Sequence, residues 1–483
     1  MFAFYCCYCQ SANCKTNSSK MQYFSHIPLK DLNVELSNAP LKTTGTFPGW
    51  LSGVLIRNGP AKFHFDDQEI DHWFDGLAML HAFTFDKGEV SYVNKFLRST
   101  PFYNAQKGDL RFLGFMQDPK RSLLQRILIH YLPWLTPHFL QNCNVNVLRI
   151  ANEYVAVTET PLPVRFDPKT LETHGALNFQ DSLCKLDCFE CAHPQFDAKR
   201  NQFVNYQAVL GLRSHYRLYT IDNAKPIRRK AFTSIPVDKI SYMHSFALTP
   251  RYMILAEFPL LLEPLDHLLK GGGYLSNFKW HPERNTRFHV IERATGKRVR
   301  ILESEAFFCF HHVNAFEEQD RIQIDLIAYP DPTVVYRAPL QEQKRFLLRF
   351  ELDLQKNSLE KTVLAETHLE FPRINEKYHM HSYRYVYGVG FHSEELITLQ
   401  KIDTHNGNRI EWKMDGSLAG EPIFVSSPQS IVEDEGILLS VVSDYSKNHS
   451  FLLALDAKNF EEIARAEIPH CIPYGLHGQY FVF

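Results

Sequence analysis

Short strand-like runs recur along this chain from Trp50 onward, and they restrict its fold more than any other feature. They include "GVLIRNGP", "EYVAVTET", "RYMILAEF", "RFHVIER", "RIQIDLIAY", "KRFLLRFELDL", "GILLSVVS" and "SFLLALDA". Most are rich in β-branched or aromatic residues, many alternate, and turn sequences such as "DKGE", "ATGK" and "HNGN" punctuate them. An all-β protein follows. Regular strands over 483 residues suit a propeller or a large sandwich, and no repeat of a named propeller class is visible to separate the two.

Charge excludes one class of partner. Lys+Arg 52 against Asp+Glu 54 leaves a net charge of -2, so no basic field exists to hold a nucleic-acid backbone. The 37 phenylalanines and 22 tyrosines exceed what a core ordinarily needs, which fits many short strands or a long apolar tunnel for a ligand. Four of the ten cysteines (Cys6, Cys7, Cys9, Cys14) crowd the start and the others lie scattered in apolar segments, a pattern that reads as reduced and cytoplasmic. The opening stretch lacks the layout of a secretory signal. Residues 1–20 read as a disordered extension, with ordered chain expected from about Met21 as one domain over 21–483; a lipidation or metal role for the early cysteines is the rival reading.

Two segments break the β pattern. Lys120 to Leu140, "KRSLLQRILIHYLPWLTPHFL", looks helical, ends at prolines, and is too short and too charged to span a bilayer. Phe258 to Trp280, "FPLLLEPLDHLLKGGGYLSNFKW", places leucines and aromatics in what should be a loop. Either the two segments cap the core, or they form a peripheral membrane patch through which a lipid-like substrate enters.

Four of the histidines stand out by context: His193 in "CAHPQFD", His244 in "SYMHSFALT", His311 in "FHHVNAF" and His477 in "IPYGLHG". Each begins or ends an apolar run, where an imidazole must be hydrogen-bonded or ligated to be tolerated. Singly, each fits a core histidine as well as a ligand. Their separation in sequence is no objection, since a propeller brings one strand per blade to a common axis. Adjacent residues on a strand point to opposite faces, so His311 and His312 should not both face one site. Imidazole suits zinc, copper, iron or nickel, and a ligating histidine usually donates its other N–H to a carboxylate. Glu159, Glu370 and Glu421 stand in apolar surroundings and are candidates for that acceptor, or else ordinary turn acids. Cys184, Cys188 and Cys191 before His193 also raise a zinc site.

At these residues the chain resembles the carotenoid cleavage oxygenase family, which includes carotene and apocarotenoid oxygenases, stilbene-cleaving oxygenases and the retinoid isomerase of the visual cycle. The resemblance rests on "GVLIRNGP", "HWFDGLAMLHAFTF", "NVNV", "TETPLPVRFDPKTLET", "CAHPQFD", "YMHSFALT", "FHHVNAFEE", "EFPRIN", "YRYVYG", "GEPIFV" and "IPYGLHG", in family order from about Gly53 to Gly478. It implies a seven-bladed β-propeller with a helical and loop cap over the face that bears an iron(II), Fe(2+). It implies His193, His244, His311 and His477 as the ligands, with Glu159, Glu370 and Glu421 behind them. The family's "FHLWNAW"-type variants keep only the first histidine of the pair, which selects His311 over His312, and Val145 in "NVNV" matches a small apolar residue beside the open coordination positions. "FDGLAMLH" and "FHHVNAFEE" lean toward the animal-type branch.

The implied activity is cleavage of a C=C bond of a carotenoid or apocarotenoid by dioxygen, giving carbonyl products. Two other enzymatic outcomes share the fold: retinoid isomerohydrolysis without oxygen, and stilbene cleavage, for which no tyrosine and lysine pair placed to grip a phenol is evident. A non-catalytic propeller that binds partners through its rim is the reading outside enzymology.

Overall fold

The architecture was described from a computed structural model of the chain. It describes residues 29–482 except 67, 111–114, 117–121, 123, 125–140, 184–187, 212, 263–272, 337–342 and 394. The expected extension 1–20, the expected start at Met21 and Cys184 lie outside the described residues.

Mostly antiparallel sheets are set as blades around one axis, and each of the eight runs quoted above forms a strand in one of them. Four- and five-stranded sheets make five blades; the ten-stranded sheet is two further blades joined through the short strand Leu418–Ala419. Within a blade the chain runs as a meander from the axis outward, for example Phe308–Glu318, Arg321–Tyr329, Arg345–Asp353 and Ser358–Thr367. Position in the blade explains the pattern of each strand. Gly53–Pro60 is buried at every residue because neighbouring blades cover both its faces, so it reads as a nearly continuous apolar run. Ser358–Thr367, on an outer edge, is largely solvent-facing and correspondingly polar. The turn in "DKGE" places Lys87 (φ 50°) and Gly88 (φ 89°) in the left-handed region, the backbone a two-residue hairpin between right-twisted strands requires.

The ring closes twice. Gly478–Phe481, at the C-terminal end, pairs with Gly53–Pro60 to complete the innermost part of the first blade. Lys42–Gly45, from the N-terminal end, adds to the outer strand Glu462–Ile468 of the last blade, while the nearby Leu36–Pro40 edges the first. The seam between these blades is filled by Leu55, Phe83, Phe85, Leu439 and Leu452, all essentially inaccessible to solvent.

Short elements stand over one end of the axis: the 3-10 turns Trp73–Asp75 and Leu275–Asn277 and the helical turn Thr333–Tyr336. They supply the expected cap. Phe258–Trp280 is not the plain loop expected from sequence. Leu260–Leu262 pairs with Phe278–Trp280, and Leu260, Leu261, Leu262, Leu275 and Phe278 are buried, so these five residues fill the core. Apart from Ser122 and Leu124, the segment 120–140 lies outside the described residues. Among the described residues no helix is long and apolar enough to cross a membrane.

Because Leu55 sits in the closing seam, Leu55→Ala should leave a void that the rigid blades cannot collapse. The expected loss is about 2–5 kcal/mol of stability, read from the denaturant midpoint at unchanged slope.

Candidate metal centre

Each of the seven blades sends one chemically distinctive residue toward the axis. His477 directly precedes the closing strand Gly478–Phe481, His193 stands just before Gln195–Asp197, His244 just before Ala247–Leu248, and His311 lies in Phe308–Glu318. The other three blades give Glu159, just after Glu153–Val157, Glu370 in Leu369–Arg373, and Glu421, just before Ile423–Ser426.

The four imidazoles converge, with their candidate ligand nitrogens all within 4.8 Å of one another. His193 and His244 approach Nε2 to Nε2 at 3.0 Å, and His311 and His477 at 3.3 Å. The glutamates stand behind the rings. Nδ1 of His244 lies 2.5 Å from Glu159 Oε1, Nδ1 of His311 lies 2.6 Å from Glu370 Oε2, and Nδ1 of His477 lies 2.8 Å from Glu421 Oε1. His193 has no carboxylate on its Nδ1 among the described residues. A carboxylate can only accept, so the other three rings donate from Nδ1 and present a bare Nε2 lone pair to the axis. Lone pairs facing each other at 3.3 Å repel, and a cation between them removes the conflict. The donor set therefore fits a metal ion that takes neutral imidazoles.

Protonation favours the same state. Burial pushes His477 down to about 3 even though Glu421 pulls it upward. His193 is held well below the usual range, first by burial and then by the imidazoles of His477, His244 and His311. Burial works against the charge on Glu370, but His311, the Tyr329 hydroxyl and the Phe371 N–H outweigh it and hold the carboxyl down at about 2. Glu421 is kept well below the usual carboxylate range against its burial by Arg373, His477 and Arg57.

These supporting groups include residues that sequence reasoning missed. The Tyr242 hydroxyl donates to Glu159 at 2.8 Å and the Tyr329 hydroxyl to Glu370 at 2.6 Å. Arg57 and Arg373 both donate to Glu421, and they also hold the carbonyls of Leu476 and Gly478 on either side of His477. The arginine in the otherwise apolar run "GVLIRNGP" was the available signal: a guanidinium buried there demands an acid. Phe371 is a bulky residue in the left-handed region at φ 51°, where the ladder shifts register between Glu370 and Arg373. Its N–H donates to Glu370 and its ring lies 4.9 Å from that of His477.

His312 stands outside the four-ring group, as expected, although simple alternation is not the reason. The strand is irregular on both sides of His312. Its Nδ1 meets Ser245 Oγ at 2.8 Å, and burial lowers the imidazole to about 3. Among the described residues no cysteine joins His193 in a zinc arrangement. Cys188 belongs to a strand, while Cys191 donates its thiol to the His244 carbonyl and accepts the His193 N–H. The five described cysteines are free and buried.

One side of the ring opens into a cavity with His244, His311, His477, Glu159, Glu370 and Val145 in its wall. The rest of the wall is mainly aromatic, including Trp73, Phe74, Phe115, Tyr274 and Phe310. Val145 lies on this side, and its carbonyl accepts the His477 N–H.

A propeller with four axial histidines backed by acids defines a class of non-haem metalloprotein. The comparisons agree. The sequence matches the retinal pigment epithelial membrane protein family over residues 30–482. It is 31% identical to the mitochondrial carotenoid-cleaving dioxygenase of Mustela putorius furo over 90% of this chain and 92% of that protein. It is 30% identical to the beta,beta-carotene 15,15'-dioxygenase of Gallus gallus over 93% and 97%. A solved mutant of Synechocystis apocarotenoid oxygenase superposes with a TM-score of 0.82 at 26% identity, covering 94% of this chain and 98% of that one. A cobalt-substituted form of the Synechocystis enzyme gives 0.83 at 26%, covering 94% and 97%. The chain belongs to this family, the carotenoid cleavage oxygenases.

His311→Ala should purify without stoichiometric metal, whereas His312→Ala should retain it; metal analysis of both proteins checks this. Glu370→Gln should weaken metal retention or activity ~10–100-fold, the usual cost of losing the acceptor behind a ligand.

Proposed function

We propose that this chain is an iron(II)-dependent dioxygenase that cleaves a C=C bond of a carotenoid or apocarotenoid into two carbonyl products. The observation that carries the reading is one cavity wall that joins three of the four histidines to an aromatic lining. The relatives' names add that related chains cleave carotenoids and β-carotene with dioxygen.

His193, His244, His311 and His477 would hold the iron, with Glu159, Glu370 and Glu421 fixing three of the rings. When bound, iron(II) lifts the spin restriction that keeps triplet dioxygen from reacting with closed-shell alkenes. The chain itself supplies position and exclusion. Val145, in the cavity wall beside the histidines, has no side-chain donor that would compete for the ion. The aromatic wall takes up a rigid polyene, and depth of insertion decides which double bond lies beside the histidines. Aromatic faces also favour positive charge developing along the polyene. No side chain in the wall is needed as a general base, because Glu159 and Glu370 are committed to their imidazoles and tyrosines.

A polyene substrate resides in lipid, so peripheral membrane contact belongs to the same reading and is assigned to segments 120–140 and 258–280. A cytoplasmic location rests on the free cysteines.

Incubation with a panel of carotenoids, apocarotenoids and stilbenes under labelled dioxygen tests the proposal. The expected products are aldehydes or ketones carrying the label, formed only with the iron-loaded protein. Unlabelled isomerised retinol from a retinyl ester would replace this reading with isomerohydrolysis.

A further inference from the structure

The second histidine of "FHHVNAF" has its own part in the centre. Ser245, next in sequence to His244, reaches across to the neighbouring blade and meets three groups there. Its Oγ donates to the Phe310 carbonyl at 2.7 Å, accepts the His312 N–H at 2.9 Å and lies 2.8 Å from His312 Nδ1.

Counting hydrogens fixes each role. The Phe310 carbonyl can only accept, so it takes the one hydroxyl proton of Ser245. The backbone N–H of His312 can only donate. His312 Nδ1 must then carry its own hydrogen and donate to the remaining lone pair of Oγ. All three bonds are satisfied together, and the hydroxyl is saturated. The ring's Nε2 has no partner among the described residues and is shut off from solvent, so the contact with Ser245 is the polar bond that accounts for an imidazole here.

What is gripped matters more than the bonds themselves. The Phe310 carbonyl and the His312 N–H belong to the two peptide groups that flank His311. In its own sheet this stretch is loosely registered: Cys309 pairs with Ala328 and His312 with Leu326, and the ladder shifts between them, leaving Phe310 and His311 without direct partners. The backbone carrying one ring is therefore held from the neighbouring blade, by the residue next to a second ring. The ring centroids of His244 and His311 stand 5.1 Å apart at 81°.

We infer that Ser245 and His312 form a clamp between blades that sets the spacing of His244 and His311, and that both are positioning residues for the metal. The inference rests on the four-histidine reading above. An imidazole on the far side of the strand thus acts on the site without ligating it.

Metal-loaded full-length protein provides the test, using iron loss to a chelator and the visible and EPR spectra of the cobalt(II)-substituted form. Ser245→Ala and His312→Leu should each still bind one metal and keep a melting temperature close to wild type. Both should lose iron ~10-fold faster, the scale of an outer contact behind a ligand, and both should show altered cobalt spectra. His312→Asn places an amide donor near the position of Nδ1, and should return both readouts toward wild type. A His312→Leu protein that matches wild type in both overturns the clamp. So does a His312→Asn protein as perturbed as His312→Leu, since packing alone would then explain the change. Wild-type protein that binds neither metal would instead overturn the metal-centre reading itself. Should Ser245→Ala fail to fold, the two His312 variants decide alone.

Discussion

Three carboxylates each accept a hydrogen bond from Nδ1 of an imidazole, and the rest of the centre follows from that pairing. A histidine whose Nδ1–H is committed to Glu159, Glu370 or Glu421 has one remaining possibility at Nε2, a lone pair directed at the axis. Several lone pairs within 3–5 Å of one another are unstable without a cation. The chain accordingly builds a site that is costly when empty and satisfied by a metal. The acids are themselves costly when buried, and each has further support: tyrosine hydroxyls for Glu159 and Glu370, two arginines for Glu421. Ring by ring, a shell of committed hydrogen bonds replaces the solvent that would otherwise let the imidazoles turn.

The propeller suits this arrangement because it is rigid and because it is closed. Each blade offers the axis residues in or beside its inner strands, so one position per blade suffices to build a ring of four histidines and three acids. Closure then becomes a functional matter as well as a structural one. His477 sits beside the strand that seals the ring, and Arg57, from the first blade, binds both Glu421 and the Leu476 carbonyl. The group that neutralises Glu421 is also a group that fastens the ring, which couples integrity of the seam to integrity of the site. The asymmetry of the set is informative too. His193 lacks a carboxylate and depends instead on Cys191, whose thiol joins the backbones of His193 and His244.

Much of this was legible beforehand, for reasons that differ by residue. Strands such as Arg345–Asp353 were readable because alternating burial is a local property. The four histidines and three glutamates could be singled out because polar groups in apolar runs are expensive, and the family resemblance then ordered them. The supporting groups were harder. Tyr242 and Tyr329 look like ordinary core aromatics, and Arg373 could have been a surface residue. The run Phe258–Trp280 left open a core cap or an exposed patch, and a short sheet of Leu260–Leu262 with Phe278–Trp280 turns those leucines inward. His312 was separated from His311 by an alternation rule that its strand does not strictly obey.

The amino-acid sequence by itself determined the all-β class, the near balance of charge, and which polar residues could not rest unpartnered in an apolar chain. Those are consequences of local pattern and of the price of desolvation, and they need no coordinates. Only the tertiary structure decided which acid stands behind which imidazole, which face of the ring opens on the aromatic cavity, and that Ser245 grips both peptides around His311. Such pairings join residues 57 and 421, 159 and 244, or 245 and 312 across different blades. They depend on how the blades close around the axis, a property of the whole ring that no single stretch of chain contains.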